Sequence, residues 1–405
     1  GGARFMITVP FDKIDEKTIR ELVNNKVAEV KTLDYKKELP ETTDRKKKEF
    51  LADVSSFANA SGGHLVFGVE EKKGAPIAAN GVTSDDPDAT ISWLESVARD
   101  GIAPRIPNLK TKAITGFKKG PIFVMEIPKS WIGPHMVSFD KSSRFYTRTS
   151  NGKSQLDIQE IRDAFLATES QGERIRNFVR ERIAIIKADE TPVPLSTPQR
   201  MVLHLIPLAP FLNRERLALT VRNVSLECFM PIVHSESSLQ WNIDGFFRHN
   251  LDSRQPQRSE EYLQFFFHGA IEVVWADLIR DDQGNRASGS SGRIPSVAFE
   301  EHVIKAVSSY LEGYEKLGVV PPVLVSLCLL ALQGVRMSVR FTSPSQGTSI
   351  DRDIVSIPAV TLESMENNAE AVGKALKPIF DSVWNACGFP CSRNYGENGR
   401  WVGQR

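Results

Sequence analysis

Cysteine is scarce, with four in 405 residues at Cys228, Cys328, Cys387 and Cys391. That excludes a disulfide-built scaffold and fits a reducing cytosol. Cys387 and Cys391 form a CxxxC pair, but no second Cys or His pair stands nearby at metal-ligand spacing, so a structural metal there is not expected. Long apolar runs are missing too. The best, Val323 to Leu332, is about half of the ~18–20 residues a spanning helix needs, and it carries Ser326. The start, Gly1-Gly2-Ala3-Arg4, has no apolar signal region. A soluble cytoplasmic protein with no membrane partner is expected. An excess of either charge is also absent, since 51 Lys+Arg against 50 Asp+Glu leave +1. This excludes a histone-like polycation but not a local basic groove, because phosphates respond to where charge sits. Residues 1–190 sum to +3 and the remainder to −2, so any such groove has to be local.

What is present is ordinary globular material, 41% hydrophobic and 25% charged, in a length that predicts two domains. Three prolines between Thr191 and Pro198 read as a linker behind a helix at Gly172–Lys187. The expected division is residues 1–170, a connecting helix and Pro-rich linker at 171–198, and a second α+β domain at 199–405. Before the linker, Leu33 to Leu39 alternates, with Leu33 and Tyr35 on one face and Asp34 and Lys36 on the other, a half-buried strand. Thr43 or Asp44 caps a helix whose Phe50, Leu51, Val54, Phe57 and Ala58 form one apolar face, and Gly62-Gly63 ends it. Further strands are expected at His64–Val69, Leu109–Thr115, Ile122–Ile127 and Arg144–Thr149, with helices at Asp88–Arg99 and Leu156–Ala167. After the linker, strands are expected at Met201–Ile206, Leu239–Ile243, Phe265–Trp275 and Val323–Leu332. Helices are expected at Ala298–Leu317 and Ala369–Ala386, and Gly284–Gly292 is a loop. Short strands interleaved with few helices make the fold α+β.

Several residue types invite a chemical reading. The run Arg45-Lys46-Lys47-Lys48 on a helix can track a nucleic-acid backbone or form a solvated face. Lys110, Lys112, Lys118 and Lys119 are open to the same two readings. Arg148, beside hydroxyls and the Asn151-Gly152 turn, suits either a bidentate phosphate contact or a brace for the turn. His64 and His135 are each acid–base candidates or hydrogen-bonded structural residues. Gly62-Gly63 lies between helix and strand rather than between strand and helix. With no GxxxxGK[ST] in the chain, a phosphate loop and ATP binding are not expected. The aromatic segments Trp241–Phe247 and Phe265–Phe267 read as core strands or an interface before base-stacking platforms.

The pieces Glu29-Val-Lys-Thr-Leu-Asp34-Tyr35-Lys36 and Phe57-Ala-Asn59-Ala-Ser-Gly62-Gly63-His-Leu-Val-Phe-Gly68-Val69-Glu70-Glu71, followed by Phe145-Tyr146-Thr-Arg148-Thr-Ser-Asn151-Gly152, resemble the Schlafen AlbA-like domain over residues 15–170. The resemblance implies a mixed sheet with flanking helices that faces nucleic acid, and, as in animal Schlafens, a metal-dependent endoribonuclease acting on tRNA or other structured RNA. It maps the metal-binding and catalytic carboxylates onto Glu29, Asp34 and Glu71, with Lys36 beside them and Mg2+ or Mn2+ as cofactor. Arg45 to Lys48, Arg148 and Asn151 would hold the backbone. Asp34 stands where the family has Glu and Glu71 where it has Asp, each shifting the oxygens by about one methylene. RNA is favoured over DNA as partner, with a homodimer completing the groove and anti-phage defence as the role. The alternative is a non-catalytic DNA- or RNA-binding regulator or sensor. The second domain resembles no family and would serve sensing or oligomerisation.

Overall fold

The computed structural model of the chain describes residues 7, 11–149, 152–214, 216–220, 226–233, 237–252, 255–287, 292–339 and 347–403. Two compact units, 1–173 and 174–405, divide it.

The first unit runs α1 (Glu16–Asn24), β1 (Leu33–Lys36), α2 (Asp44–Asn59), β2 (Gly63–Phe67), β3 (Val69–Lys72), β4 (Ala75–Ala79), α3 (Pro87–Gly101), β5 (Ile102–Ala103), β6 (Lys110–Ile114), β7 (Ile122–Ile127), β8 (Met136–Phe139), β9 (Ser142–Thr149) and β10 (Gly152–Gln155). It ends in α4 (Ile158–Lys187), which crosses the division. The expected helices at Leu156–Ala167 and Gly172–Lys187 are thus one, because a single Gly172 costs a helix only about 1 kcal/mol. The main sheet has the order β1-β2-β7-β6, and a second sheet has the order β10-β9-β8-β5. β1 and β2 are parallel, with α2 as their crossover, and β3 pairs with β4 as a hairpin.

Both faces of the main sheet are covered. Leu65, Phe67, Phe123 and Met125 pack against Phe50, Leu51, Val54 and Phe57 of α2. Leu33, Tyr35, Val66 and Val124 pack with Ile19 and Leu22 of α1. Side chains alternate along a strand, so Asp34 and Lys36 are directed to the α2 face. Thr43 caps α2 by accepting from the Lys46 amide. At its other end Gly62 and Gly63 have φ of +69° and +149°. A Cβ on Gly62 would lie 2.5 Å from the Lys129 nitrogen, and one on Gly63 would overlap the Thr32 backbone. These glycines serve the close approach of the chain to itself. Asn59 completes the helix stop: its amide donates to the carbonyls of His135 and Tyr146, both at 2.8 Å, and its oxygen accepts from the His135 amide at 2.7 Å.

The second unit holds β11 (Arg200–Pro207), α5 (Leu208–Asn213), β12 (Ser238–Asn242), β13 (Gly245–Leu251), β14 (Ser259–Phe266), β15 (Ile271–Trp275), β16 (Arg293–Pro295), α6 (Ser296–Lys316), β17 (Val323–Leu330), β18 (Arg336–Ser338), β19 (Ile354–Ser356), β20 (Val360–Leu362) and α7 (Ala369–Ala386). Its large sheet has the order β12-β13-β14-β15-β11-β17-β19, with β20 also on β17, over a core that includes Phe229, Phe246, Phe265, Phe299 and Trp384. The expected strand at Phe265–Trp275 is a hairpin instead. Gly269, at φ +87°, turns the chain inside an apolar run, and the Phe266 amide bonds the Ala270 carbonyl. The architecture is α+β throughout.

Candidate functional site

A cleft of about 520 Å3 opens in the first unit, and Glu29, Asp34, Lys36, Asp53, Glu71, Arg148 and Lys153 are among the residues that line it. Glu29 precedes β1, and its carboxylate accepts from the Tyr35 amide at 2.9 Å, so the chain bends back as five-residue spacing from Asp34 requires. Glu71 lies exposed on β3, one oxygen accepting from the Gly74 amide at 2.6 Å. The Glu29 amide in turn donates to the Gly74 carbonyl at 2.7 Å, which brings the β3–β4 turn to β1. Burial first, then the Asp34 and Glu71 carboxylates, push Glu29 up to about 7 against the pull of the Tyr35 amide.

Asp34 is buried at 5% exposure, not on a solvated strand face, because its side of β1 lies under α2. One carboxylate oxygen is 3.2 Å from Lys36 Nζ and the other accepts from Arg148 at 2.7 Å. Burial opposes its ionisation, but Lys36 and Arg148 prevail and hold the carboxyl below the usual range. Burial likewise opposes the Lys36 ammonium, and Asp53 and Asp34 together hold its pKa above the ordinary value. Arg148 is 5% exposed, with its guanidinium 4.3 Å above the Phe57 ring. Its partners among the described residues are a carboxylate and an aromatic face.

Two further residues complete the cluster. Asp53 on α2, 4% exposed, is 3.6 Å from Lys36 Nζ and 2.9 Å from Lys153 Nζ. Lys153 on β10 pairs directly across from Arg148 on β9. Sequence reasoning passed over both, yet Asp53 carried a signal. It falls at the i, i+3, i+7 spacing of Phe50, Asp53 and Phe57, a carboxylate on the apolar stripe of its helix.

The basic run lies in the first turns of α2. Arg45 is exposed, Lys46 pairs with Glu49 at 3.2 Å, Lys47 lies 5.9 Å above the Phe139 ring, and Lys48 pairs with Asp140 at 2.6 Å. Asn151 lies outside the described residues. Lys112 caps the Phe11 and Asp12 carbonyls, while Lys110, Lys118 and Lys119 are exposed. Burial lowers His64 to about 4, and the buried His135 bonds the Pro104 carbonyl at 2.6 Å. In the second unit Phe246, Phe247, Phe265 and Phe266 are core, and Arg248 and His249 are buried among polar partners. None of the four cysteines is in a disulfide.

Among the described residues, no group of three or more His, Cys, Asp or Glu side chains forms a ready metal cage. The donor chemistry nevertheless fits a hard divalent cation, because Glu29, Asp34 and Glu71 offer carboxylate oxygens and Glu29 feels the charge of both of the others. The cleft lining holds six carboxylates (Glu29, Asp34, Glu49, Asp53, Glu70, Glu71) and four cations (Lys36, Lys37, Arg148, Lys153), a formal −2 that one such ion balances.

No helix among the described residues is long and apolar enough to cross a membrane. No curated protein matches the chain. Among solved structures, the crystal structure of the DIP2311 protein from Corynebacterium diphtheriae is similar at 18% identity and a TM-score of 0.24, covering 35% of this chain. The chain spans 27% of that protein, and a likeness this slight carries no argument. Residues 29–157 match the family model described as Schlafen, AlbA_2, and that stretch holds every residue of the cleft described above. The first unit therefore carries a Schlafen AlbA_2 domain, a domain type tied to nucleic acid.

Proposed function

We propose that this domain is a divalent-metal-dependent endoribonuclease acting on tRNA or other structured RNA, and that the chain is an effector of defence against phage. The observation that carries the reading is the meeting of Glu29, Asp34 and Glu71 in one cleft with a formal charge of −2, beside cations that suit a phosphate. Glu29, Asp34 and Glu71 would hold the ion, which when bound polarises a phosphate and lowers the pKa of an attacking hydroxyl or water. The remaining roles belong to the chain itself. The Tyr35 and Gly74 amides orient Glu29 and Glu71. Arg148 fixes Asp34 from the buried side and thus acts on a carboxylate, while the partly exposed Lys36 faces the phosphate. A second copy of the chain would supply the other wall of an RNA groove.

A non-catalytic nucleic-acid-binding regulator is the second reading. It draws on the engagement of both Asp34 oxygens by cations and on the missing cage among the described residues. Incubation with total tRNA in Mg2+ or Mn2+ separates the two. Discrete products that Glu29→Gln and Asp34→Asn abolish support the nuclease. Intact RNA together with salt-sensitive retention on nucleic acid refutes it in favour of the binder.

A further inference from the structure

Lys36 on β1 and Lys153 on β10 come from different sheets, yet both ammoniums reach the same carboxylate. Asp53 presents one oxygen 3.6 Å from Lys36 Nζ and the other 2.9 Å from Lys153 Nζ. Asp53 itself is buried, whereas the lysine side chains keep 35% and 29% of their surface. An ammonium has three donors. Lys36 Nζ lies 3.2 Å from Asp34 and 3.6 Å from Asp53, and Lys153 Nζ lies 2.9 Å from Asp53 and donates to the Glu49 carbonyl at 3.1 Å. Both ammoniums thus keep open side-chain surface while gathered on one carboxylate, and a pair of N–H donors suits the two non-bridging oxygens of a phosphodiester.

Within the −2 cleft the ion pairs among Asp34, Asp53, Lys36, Lys153 and Arg148 sum to +1, while Glu29 beside Asp34 and Glu49 near the lysines carry the opposite sign. Arg148 is shut away from solvent, so the two lysines are the cations of this group left to meet a ligand. Holding them together on a buried carboxylate removes most of the ordering cost that free lysine side chains carry on binding.

We propose that Lys36 and Lys153, gathered by Asp53, form a seat for one backbone phosphate of the bound nucleic acid, with Asp53 as its positioning residue. The inference rests on the nucleic-acid reading of the cleft. It also separates charge from arrangement, because Asp53→Asn makes the cleft more positive by one while releasing the lysines.

The test is binding of a fluorescently labelled tRNA transcript to the full-length chain in EDTA, across a range of KCl. Lys153→Gln is expected to lower the magnitude of the slope of log K against log[salt] by roughly 0.7 to 0.9, one phosphate contact. Lys153→Arg should restore most of it. Asp53→Asn should weaken binding roughly tenfold, about the value of one charge-assisted hydrogen bond, although it removes a negative charge. Binding that tightens in Asp53→Asn, or a slope unmoved in Lys153→Gln, overturns the seat while leaving the cleft as a binder. A wild-type chain that retains no tRNA at low salt overturns both the seat and the nucleic-acid reading. Lys153 is partly exposed, so its variants test the seat even where the buried Asp53 change unfolds the domain.

Discussion

Replacing Arg148 with methionine keeps an unbranched apolar stem while deleting the charge from a site 5% exposed. Breaking a buried ion pair from one side costs about 3–5 kcal/mol, because the surviving charge loses its compensation. Here Asp34 retains Lys36 at 3.2 Å, which places that loss at the lower limit. The guanidinium over Phe57, desolvated at 4.3 Å, adds a cation–π contribution of about 1 kcal/mol that the thioether returns in part as packing. The net expectation is destabilisation of the first unit by about 3 kcal/mol. At about 2–4 °C per kcal/mol for a unit of this size, its transition should fall by roughly 6–12 °C. Thermal unfolding of the full chain measures the shift, and hydrogen exchange in β1, α2 and β9 peptides assigns it to the first unit. Asp34→Asn combined with Arg148→Met removes both charges, and the pair should cost about 2 kcal/mol less than the sum of the single changes. Arg148→Met within 2 °C of wild type, or a strictly additive double variant, would refute the buried-pair reasoning.

Two other outcomes follow from titration. His64 is held neutral by burial with a folded value of about 4, so the unfolded chain takes up its proton first. Stability of the first unit should decline as pH falls from about 6.5 toward 4, by about 3 kcal/mol, and His64→Phe should flatten that limb in a pH series of melts. In the second unit Glu272 is fully buried; burial opposes its charge, yet Arg182 at 2.8 Å and 2.9 Å and His204 at 3.0 Å hold it at about 2. Its contribution is present above about 4.5 and lost as pH falls toward 2, so Glu272→Gln should cost about 3–5 kcal/mol at neutral pH and blunt acid unfolding followed by tryptophan fluorescence.

The elements most legible in the sequence are those whose signals are local. The Thr43 cap, the apolar stripe of α2, the Ile122–Ile127 strand and the Ala369–Ala386 helix all stand where patterning puts them. Failures occurred where a distant partner decides. Period-two alternation in β1 separates Asp34 from Tyr35 but does not say that both faces are covered, and the Arg148 that makes Asp34 burial tolerable lies 114 residues away. The meeting of Glu29 with Asp34 came from family likeness, since spacing alone left Val30 to Thr32 free to turn or not. Asp53 and Lys153 illustrate the remaining gap: an acid on an apolar stripe is anomalous by itself, and its explanation arrives only with strands from two sheets.

One amide side chain has a reach beyond its own contacts. Asn59 makes three hydrogen bonds, two to His135 just before β8 and one to Tyr146 of β9, in the manner of a short strand edge, and so nails down the end of α2. Two residues earlier on that helix stands Phe57 beneath Arg148, and six residues earlier stands Asp53 beneath the two lysines. The charge pattern of the cleft is thereby geared to a residue that touches no charge. Softening at position 59 would retune all three cations together, whereas a change at any one of them acts first on the carboxylate it shares.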